Sequence, residues 1–354
     1  MLQKLQKLLR PAGWAFGAAS GARRSLYQTG FLKAVDLGVP VVSVGNLTVG
    51  GTGKTPLVAL VSKILAADGH RVCILTRGYK RAHPQQRVVV SDGKQILSDA
   101  RTAGDEPFEL AQKLLGVAAV IADKNRAAAG IWARAHLGST VFILDDGLQH
   151  LKVKRDLDIV CIDATNPFGN KQLLPAGILR EPLTSLKRSD CVVLTRTDLI
   201  TKSNVQILDL KAQISKYTDC PILLSKTEIV GLTEIKEFRA KTQKTQRKTD
   251  NGQRTKTAFA FCALGNPHGF FASLARAGIQ LSATKIFADH YVYRQTDIDE
   301  IEKAARSAGA EILLTTAKDA VKLTDLKFNW QCLAVEIEVV FADDGLLRQM
   351  LPAI

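Results

Sequence analysis

The chain has 354 residues, 46% hydrophobic and 23% charged; at about 150 residues per domain that is a globular protein of two domains rather than one small core. Its 48 Lys and Arg outnumber 34 Asp and Glu and leave a formal charge of +14, which favours a polyanionic partner: nucleic acid, an anionic membrane surface or a phosphorylated substrate. No uncharged apolar run approaches the ~18 residues of a membrane span, and the six cysteines lack C-x-x-C spacing and mostly lie in apolar runs, which argues against a disulfide framework or a zinc site.

Residues 1–35 are basic and free of acids, with Lys4, Lys7, Arg10, Arg23, Arg24 and Lys33. Leu2, Leu5, Leu8 and Leu9 share one helical face, and Trp14 and Phe16 follow. An amphipathic helix of this kind suits the interface of an anionic membrane, docking on the protein's own core, or both. A secretory signal is disfavoured, because no clean apolar stretch leads to a small-residue cleavage site.

Strands are expected at 39–44, 72–76, 87–91, 118–122, 140–144, 158–162, 190–195 and 221–225, with helical stretches such as 107–116 and 126–137 between them. That alternation predicts a parallel sheet with helices on both faces. The first strand runs into "SVGNLTVGGTGKTP", residues 43–56, and a helical pattern follows. Strand, Gly-rich turn, Lys-Thr and helix together make a phosphate-cradling loop, although the general pattern has Gly where this chain has Thr48. Thr48, Val49, Gly50, Gly51, Thr52 and Gly53 would wrap the phosphates of a nucleoside triphosphate. Lys54 would reach the β- and γ-phosphates, and Thr55 would ligate Mg²⁺. Asp145 and Asp146 end the strand "TVFILDD" and supply the carboxylates such a site needs for Mg²⁺.

Further along, "GDEP" places Asp105 where it could cap a helix or act in a site. "LREP" places Arg180 and Glu181 in a loop, where they could be a surface ion pair or functional. "RGYKR" (77–81) follows a strand at the ligand-binding edge of an open α/β sheet. Residues 236–256 carry eight Lys or Arg, two acids and almost nothing apolar, the composition of a solvated linker. Alternation then resumes, with strands at 257–264, 284–287, 311–316 and 332–338 and helices near 268–278 and 296–308. This second unit has no P-loop, and within it "FADHYVY" offers His290. The chain therefore divides into 1–35 (basic helical region), 36–230 (P-loop domain), 231–256 (basic linker or hairpin) and 257–354 (a smaller α/β lobe).

Taken together, "SVGNLTVGGTGKTP", "TRGYKR", "GDEP", "DDGLQH", "LLPAGILREP", "ALGNPHGFF", "FADHYVY" and "TTAKDAVKL" resemble the tetraacyldisaccharide 4′-kinases, the lipid A 4′-kinases. The matches run in order over most of the chain and are specific as a set. Thr48 is no departure within that family. Where the family often has His-His, this chain has His290-Tyr291, so His290 is the matching residue and Tyr291 has no assigned role.

The resemblance implies transfer of the ATP γ-phosphate to the 4′-hydroxyl of a tetraacylated glucosamine disaccharide 1-phosphate, giving lipid IVA. It assigns the base role to Asp105, partnered by His290. Arg180 and Glu181 would face the substrate or nucleotide, and Tyr79 and Gln149 would line the site. The expected partners are that lipid A precursor and an anionic inner-membrane surface, with no nucleic acid and no obligate protein partner. The enzyme would sit peripherally on the cytoplasmic face of the bacterial inner membrane. A P-loop GTPase or metallochaperone-like switch is the alternative, suggested by Thr195-Arg196-Thr197-Asp198, which approaches the guanine-recognition motif [N/T]-K-x-D. A nucleic-acid-dependent ATPase is suggested by the charge alone.

Overall fold

The computed structural model describes residues 2–79, 81–200, 203–235 and 256–351, with side chains from residue 8 onward except those of residues 203 and 204. Most of the basic linker expected at 231–256, Lys80 of the RGYKR stretch and the side chains of Leu2, Lys4, Leu5 and Lys7 therefore lie outside the described residues. The chain forms two compact units, each discontinuous in sequence. The first comprises residues 1–77, 123–226 and 341–354, the second 78–122 and 227–340.

The first unit is built on a parallel sheet. Its strands are β1 (Val41–Asn46), β2 (Val72–Thr76), β5 (Val141–Asp145), β6 (Leu157–Asp163), β7 (Cys191–Thr195) and the start of β8 (Ile222–Glu234). Their order is β8-β7-β6-β1-β5-β2, every pairing within it parallel. Strands β1, β2, β5, β6 and β7 are buried along their whole length. That explains their near-continuous apolar runs in place of alternation, since helices cover both faces of a parallel sheet. Helix α2 (Lys54–Ala67) leaves β1 through the Gly-rich loop and buries Leu57, Val58, Val61, Ile64 and Leu65, the 3- and 4-residue spacing of one helical face. Helix α5 (Arg126–Leu137) is capped by the Asn125 side chain, and α6 (Ser203–Ile214) sends Leu210 and Ile214 into a cluster with Val160, Ile162, Val192 and Leu194.

Helix α1 (Leu2–Gln28) belongs to the first unit and docks through small residues. A Cβ at Gly17 would lie 2.5 Å from Leu173 Cδ1, and one at Gly13 would lie 3.2 Å from the Leu173 carbonyl. Leu8, Trp14 and Phe16 remain exposed. Among the described residues, no helix is long and apolar enough to cross a membrane.

The second unit carries the parallel strands β10 (Leu281–Ile286), β9 (Ala258–Cys262), β11 (Ile312–Thr316) and β12 (Cys332–Phe341) in that order, with the remainder of β8 beside β12. Helices α7 (Pro267–Arg276), α8 (Gln295–Ser307) and α9 (Ala317–Leu323) connect them. Segment 78–122 adds β3 (Val88–Ser91), β4 (Ala118–Ala122), α3 (Ala100–Ala103) and α4 (Asp105–Lys113). Helix α4 packs on α9. Ala100 and Phe108 join a core with Phe259, Phe261, Leu313 and Leu323.

Four readings of the sequence need correction. Residues 78–122 belong with the C-terminal half rather than inside an unbroken 36–230 domain, because their apolar side chains complete that half's core. Residues 341–354, expected at the end of the smaller lobe, belong to the first unit. Strand β3 pairs antiparallel with β4, and β8 continues to Glu234, past the expected start of the linker. Strand existence is legible from apolar runs, but pairing direction and lobe membership depend on contacts distant in sequence.

Candidate active site

In the first unit, the Gly-rich loop runs from Asn46 to the start of α2. Gly53 is left-handed, with φ +80°, and α2 begins without a side-chain cap. Its first N–H groups are thereby left for an anion, the arrangement that binds phosphate at helix N-termini. The front of the loop is fixed by its neighbours. Asn46 Nδ2 donates to the Thr48 carbonyl at 2.7 Å and Gln149 Nε2 to the Asn46 carbonyl at 3.0 Å. The Val49 N–H donates to the Ile178 carbonyl and the Arg180 N–H to the Leu47 carbonyl, at 2.8 and 2.7 Å. The loop bearing "AGILRE" is thus stitched to the phosphate loop by backbone, and Arg180 arrives at the site.

Asp146 is where the charges converge. Arg180 Nη1 donates to both of its carboxylate oxygens, at 2.6 and 2.9 Å, and Lys54 Nζ lies 3.5 Å away. Arg126 Nη1 donates to the Asp146 carbonyl at 3.1 Å. Burial acts to raise this carboxyl's pKa, but the charges of Lys54, Arg180 and Arg126 outweigh it and hold Asp146 well below the usual carboxylate range. Asp146 has φ +52°, a conformation costly for a residue with a Cβ and kept only where its surroundings over-determine it. Asp145 is buried and accepts from Thr76 Oγ1 at 2.9 Å. The Thr55 hydroxyl with the Asp145 and Asp146 carboxylates is an all-oxygen donor set, which fits a hard cation such as Mg²⁺.

Arg180 and Glu181 do not pair with each other. Glu181 is buried, and its Oε2 accepts from Arg24 Nη1 of α1 at 3.0 Å and from Arg188 Nη2 at 2.6 Å. Arg24 also donates to Ser185 Oγ. Glu181 ties helix α1 to the loop that delivers Arg180.

The other expected residues lie in the second unit. The sequence places Asp105 and His290 in different lobes, but both belong to this one. His290 Nδ1 is 3.5 Å from Asp105 Oδ2. Gly104, not Asp105, occupies the N-cap of α4. It has φ +95°, and a Cβ there would lie 3.1 Å from the Tyr79 carbonyl, so glycine is what allows the "GDEP" turn to approach residues 78–79. His290 is left-handed at φ +62°, and its ring sits 5.4 Å from that of the exposed Tyr79. Tyr79, expected to line the site, is found beside His290, and Gln149 is found at the phosphate loop.

Lys322 and Lys318 have no role assigned from the sequence. Lys322 Nζ is 2.9 Å from Asp319 Oδ1 and 3.8 Å from Asp105 Oδ2, and donates to the Tyr291 carbonyl at 3.2 Å. Asp319 is fully buried and accepts from the Ala263 N–H and from Thr316 Oγ1. Lys318 Nζ lies 3.3 Å from both Glu106 and Asp289. Burial acts to raise Asp105, but the His290 hydrogen bond and the Lys322, His290 and Lys318 charges outweigh it, so Asp105 stays below its ordinary pKa. The signal is present in "TTAKDAVKL", whose two lysines are spaced four apart on one helix face. Arg126 and Thr76 also escape sequence reasoning, and nothing local in "DKNRAA" or "VCILT" announces them.

Comparison with known proteins bears on this arrangement. The tetraacyldisaccharide-1-P 4′-kinase family profile matches residues 5–354. The chain is 41% identical over 310 residues to the tetraacyldisaccharide 4′-kinase of Geobacter metallireducens, covering 87% of this chain and 86% of that one. It is 36% identical over 351 residues to the enzyme of the same name from Pelobacter propionicus, covering 99% and 92%. The crystal structure of an "apo" form of LpxK from Aquifex aeolicus in complex with ATP is similar over 99% of both chains, with a TM-score of 0.78 at 32% identity.

Proposed function

Because the chain belongs to the tetraacyldisaccharide-1-P 4′-kinase family, we propose that its phosphate loop and its Asp105–His290 pair serve the two halves of that family's reaction. The protein is an ATP-dependent kinase that transfers the γ-phosphate to the 4′-hydroxyl of a tetraacylated glucosamine disaccharide 1-phosphate, giving lipid IVA. Phosphoryl transfer demands positioned charge more than covalent chemistry. The observation that supports the assignment of residues is the convergence of Lys54 and Arg180 on Asp146, beside an uncapped helix N-terminus.

Residues 48–55 hold the triphosphate, and Lys54 and Arg180 offset charge on the transferring group. Thr55, Asp145 and Asp146 would hold Mg²⁺, which would supply positive charge against the phosphates. Asp105 accepts the proton of the 4′-hydroxyl as that oxygen bonds to the γ-phosphorus, the bond to the β-phosphate oxygen breaks and ADP leaves. His290 orients the Asp105 carboxylate, and Lys322 keeps it ionised. Glu181 positions Arg180 and α1 rather than reacting. The exposed Leu8, Trp14 and Phe16 with Arg10 seat α1 on the anionic cytoplasmic face of the inner membrane, where an acylated substrate resides.

The test is transfer from radiolabelled ATP to the disaccharide 1-phosphate in detergent micelles. Lys54→Ala is expected to keep less than about a tenth of wild-type kcat, the loss typical of one charge-stabilising donor. Retention above that level would remove Lys54 from the assigned role. GTP should compete more weakly than ATP; tighter GTP binding would favour the switch-protein reading.

A further inference from the structure

We infer that the Thr195–Arg196 corner is a brace that sets the direction of the phosphate-loop amides and does not read the nucleotide base. The inference rests on the reading that residues 48–55 hold the ATP phosphates. Strand β7 ends at Thr195, and the residues beyond it have the spacing of a guanine-recognition motif, yet the side chains engage the loop. Thr195 Oγ1 donates to the Thr52 carbonyl at 2.9 Å. Arg196 Nη1 donates to the Gly51 carbonyl at 2.7 Å and also pairs with the Asp163 carboxylate at the end of β6.

These bonds fix two successive peptide units. In a trans peptide the C=O and the following N–H point in opposite directions. Tying the Gly51 and Thr52 carbonyls to β7 therefore turns the N–H groups of Thr52 and Gly53 away from it. Consecutive amides held on one side form a concave anion site. Without the brace, glycines at 50, 51 and 53 leave this stretch free to adopt many other conformations.

The corner is built for the purpose. Arg196 is held in the left-handed region at φ +57°, a cost that persists only where surrounding contacts impose it. Asp163 is itself buried and oriented, since its Oδ1 accepts from the Thr165 N–H at 3.0 Å and from Thr165 Oγ1 at 2.7 Å. A Cβ on Gly53 would lie 3.2–3.4 Å from the Thr195 side chain, so glycine spares that side chain a tight contact. The Arg196 side chain is 15% exposed, and its Nη1 is turned to the Gly51 carbonyl and the Asp163 carboxylate.

The experiment measures dissociation constants of fluorescent mant-ATP, mant-GTP and mant-AMP for the full chain and for Arg196→Ala, Arg196→Lys and Asp163→Asn. Wild-type binding of mant-ATP checks the underlying phosphate-loop reading; its absence would defeat that reading before the brace is in question. Losing a charge-assisted hydrogen bond should weaken mant-ATP about tenfold in Arg196→Ala. A brace predicts the same factor for mant-GTP, little change for mant-AMP, and a KM for ATP that rises more than kcat falls. Arg196→Lys, with its charge kept, should recover part of the loss. If Arg196→Ala loses its cooperative thermal transition, Arg196→Lys and Asp163→Asn carry the same comparison. Unchanged mant-ATP affinity in folded variants, or a changed ratio of mant-ATP to mant-GTP affinity, would overturn the inference.

Discussion

Lys322 stands within 4 Å of two carboxylates, Asp319 and Asp105, with 8% of its side chain open to solvent. Asp105 is faced by His290, Lys322 and Lys318, and its carboxyl is held below the ordinary range. A depressed carboxylate adds stability above its unfolded pKa, and that contribution is lost as pH falls through the folded pKa. The same ionisation keeps Asp105 ready to accept a proton at neutral pH. Lys322→Met removes a positive neighbour, so the Asp105 pKa should rise and the acidic limb of the kcat profile should move to higher pH. Lys322→Arg should leave that limb in place. A profile unmoved by Lys322→Met would show that this lysine serves only the buried Asp319. Asp105→Asn and His290→Ala should each lower kcat strongly and leave ATP binding nearly intact. The double variant should be little worse than the poorer single one, since the two act as a unit. Fully multiplicative losses would indicate two separate roles.

At the scale of elements, α4 and α1 each do two jobs. Helix α4 places Asp105 at its first residue and carries Glu109 one turn later, where burial pushes the carboxyl up to about 7. Between its ordinary value of 4.5 and that figure, the folded chain keeps a proton that the unfolded chain has released. Stability therefore falls as pH rises through this window and stays lower above it. Glu109→Gln should raise the thermal midpoint at pH 8 by on the order of 3 °C, with the gain vanishing near pH 5. A gain equal at both pH values would mean that packing, and not ionisation, is responsible. Helix α1 turns Gly13 and Gly17 inward, leaves Leu8 and Trp14 outside, and hands Arg24 to Glu181. Each basic residue near an anionic surface contributes about 1 kcal/mol. Reversal of Lys4, Lys7 and Arg10 to Glu should therefore weaken partitioning to phosphatidylserine vesicles plainly, and unchanged partitioning would assign the helix to the protein's own core alone.

For the molecule as a whole, the decisive feature is that each compact unit takes residues from distant parts of the chain. Segment 78–122 buries Ala100 and Phe108 among Phe259, Leu313 and Leu323, more than a hundred residues away. A chain ended after residue 235 should retain the sheet of β1, β2, β5, β6 and β7, whose strands pair among themselves. It should also lose amide protection throughout 78–122. Hydrogen exchange by mass spectrometry checks this, and native protection of 78–122 in the shortened chain would show that the segment folds without its C-terminal partners.

Sequence alone determined the elements that local chemistry dictates. Apolar runs marked the strands, the glycine-lysine-threonine pattern marked the phosphate loop, and Asp145-Asp146 marked the end of β5, because each signal lies within a few consecutive residues. The family motifs singled out Asp105 and His290, and the two residues do lie together in the fold. Only the tertiary structure decided that they share a unit, that Glu181 turns from Arg180 toward Arg24 and Arg188, and that Lys322 joins Asp105 to Asp319. It also decided that Thr195 and Arg196 of the T-R-T-D stretch face the phosphate loop. These are pairings between side chains on different elements. Their partners are chosen by how helices and strands pack, and spacing along the chain carries no record of that choice.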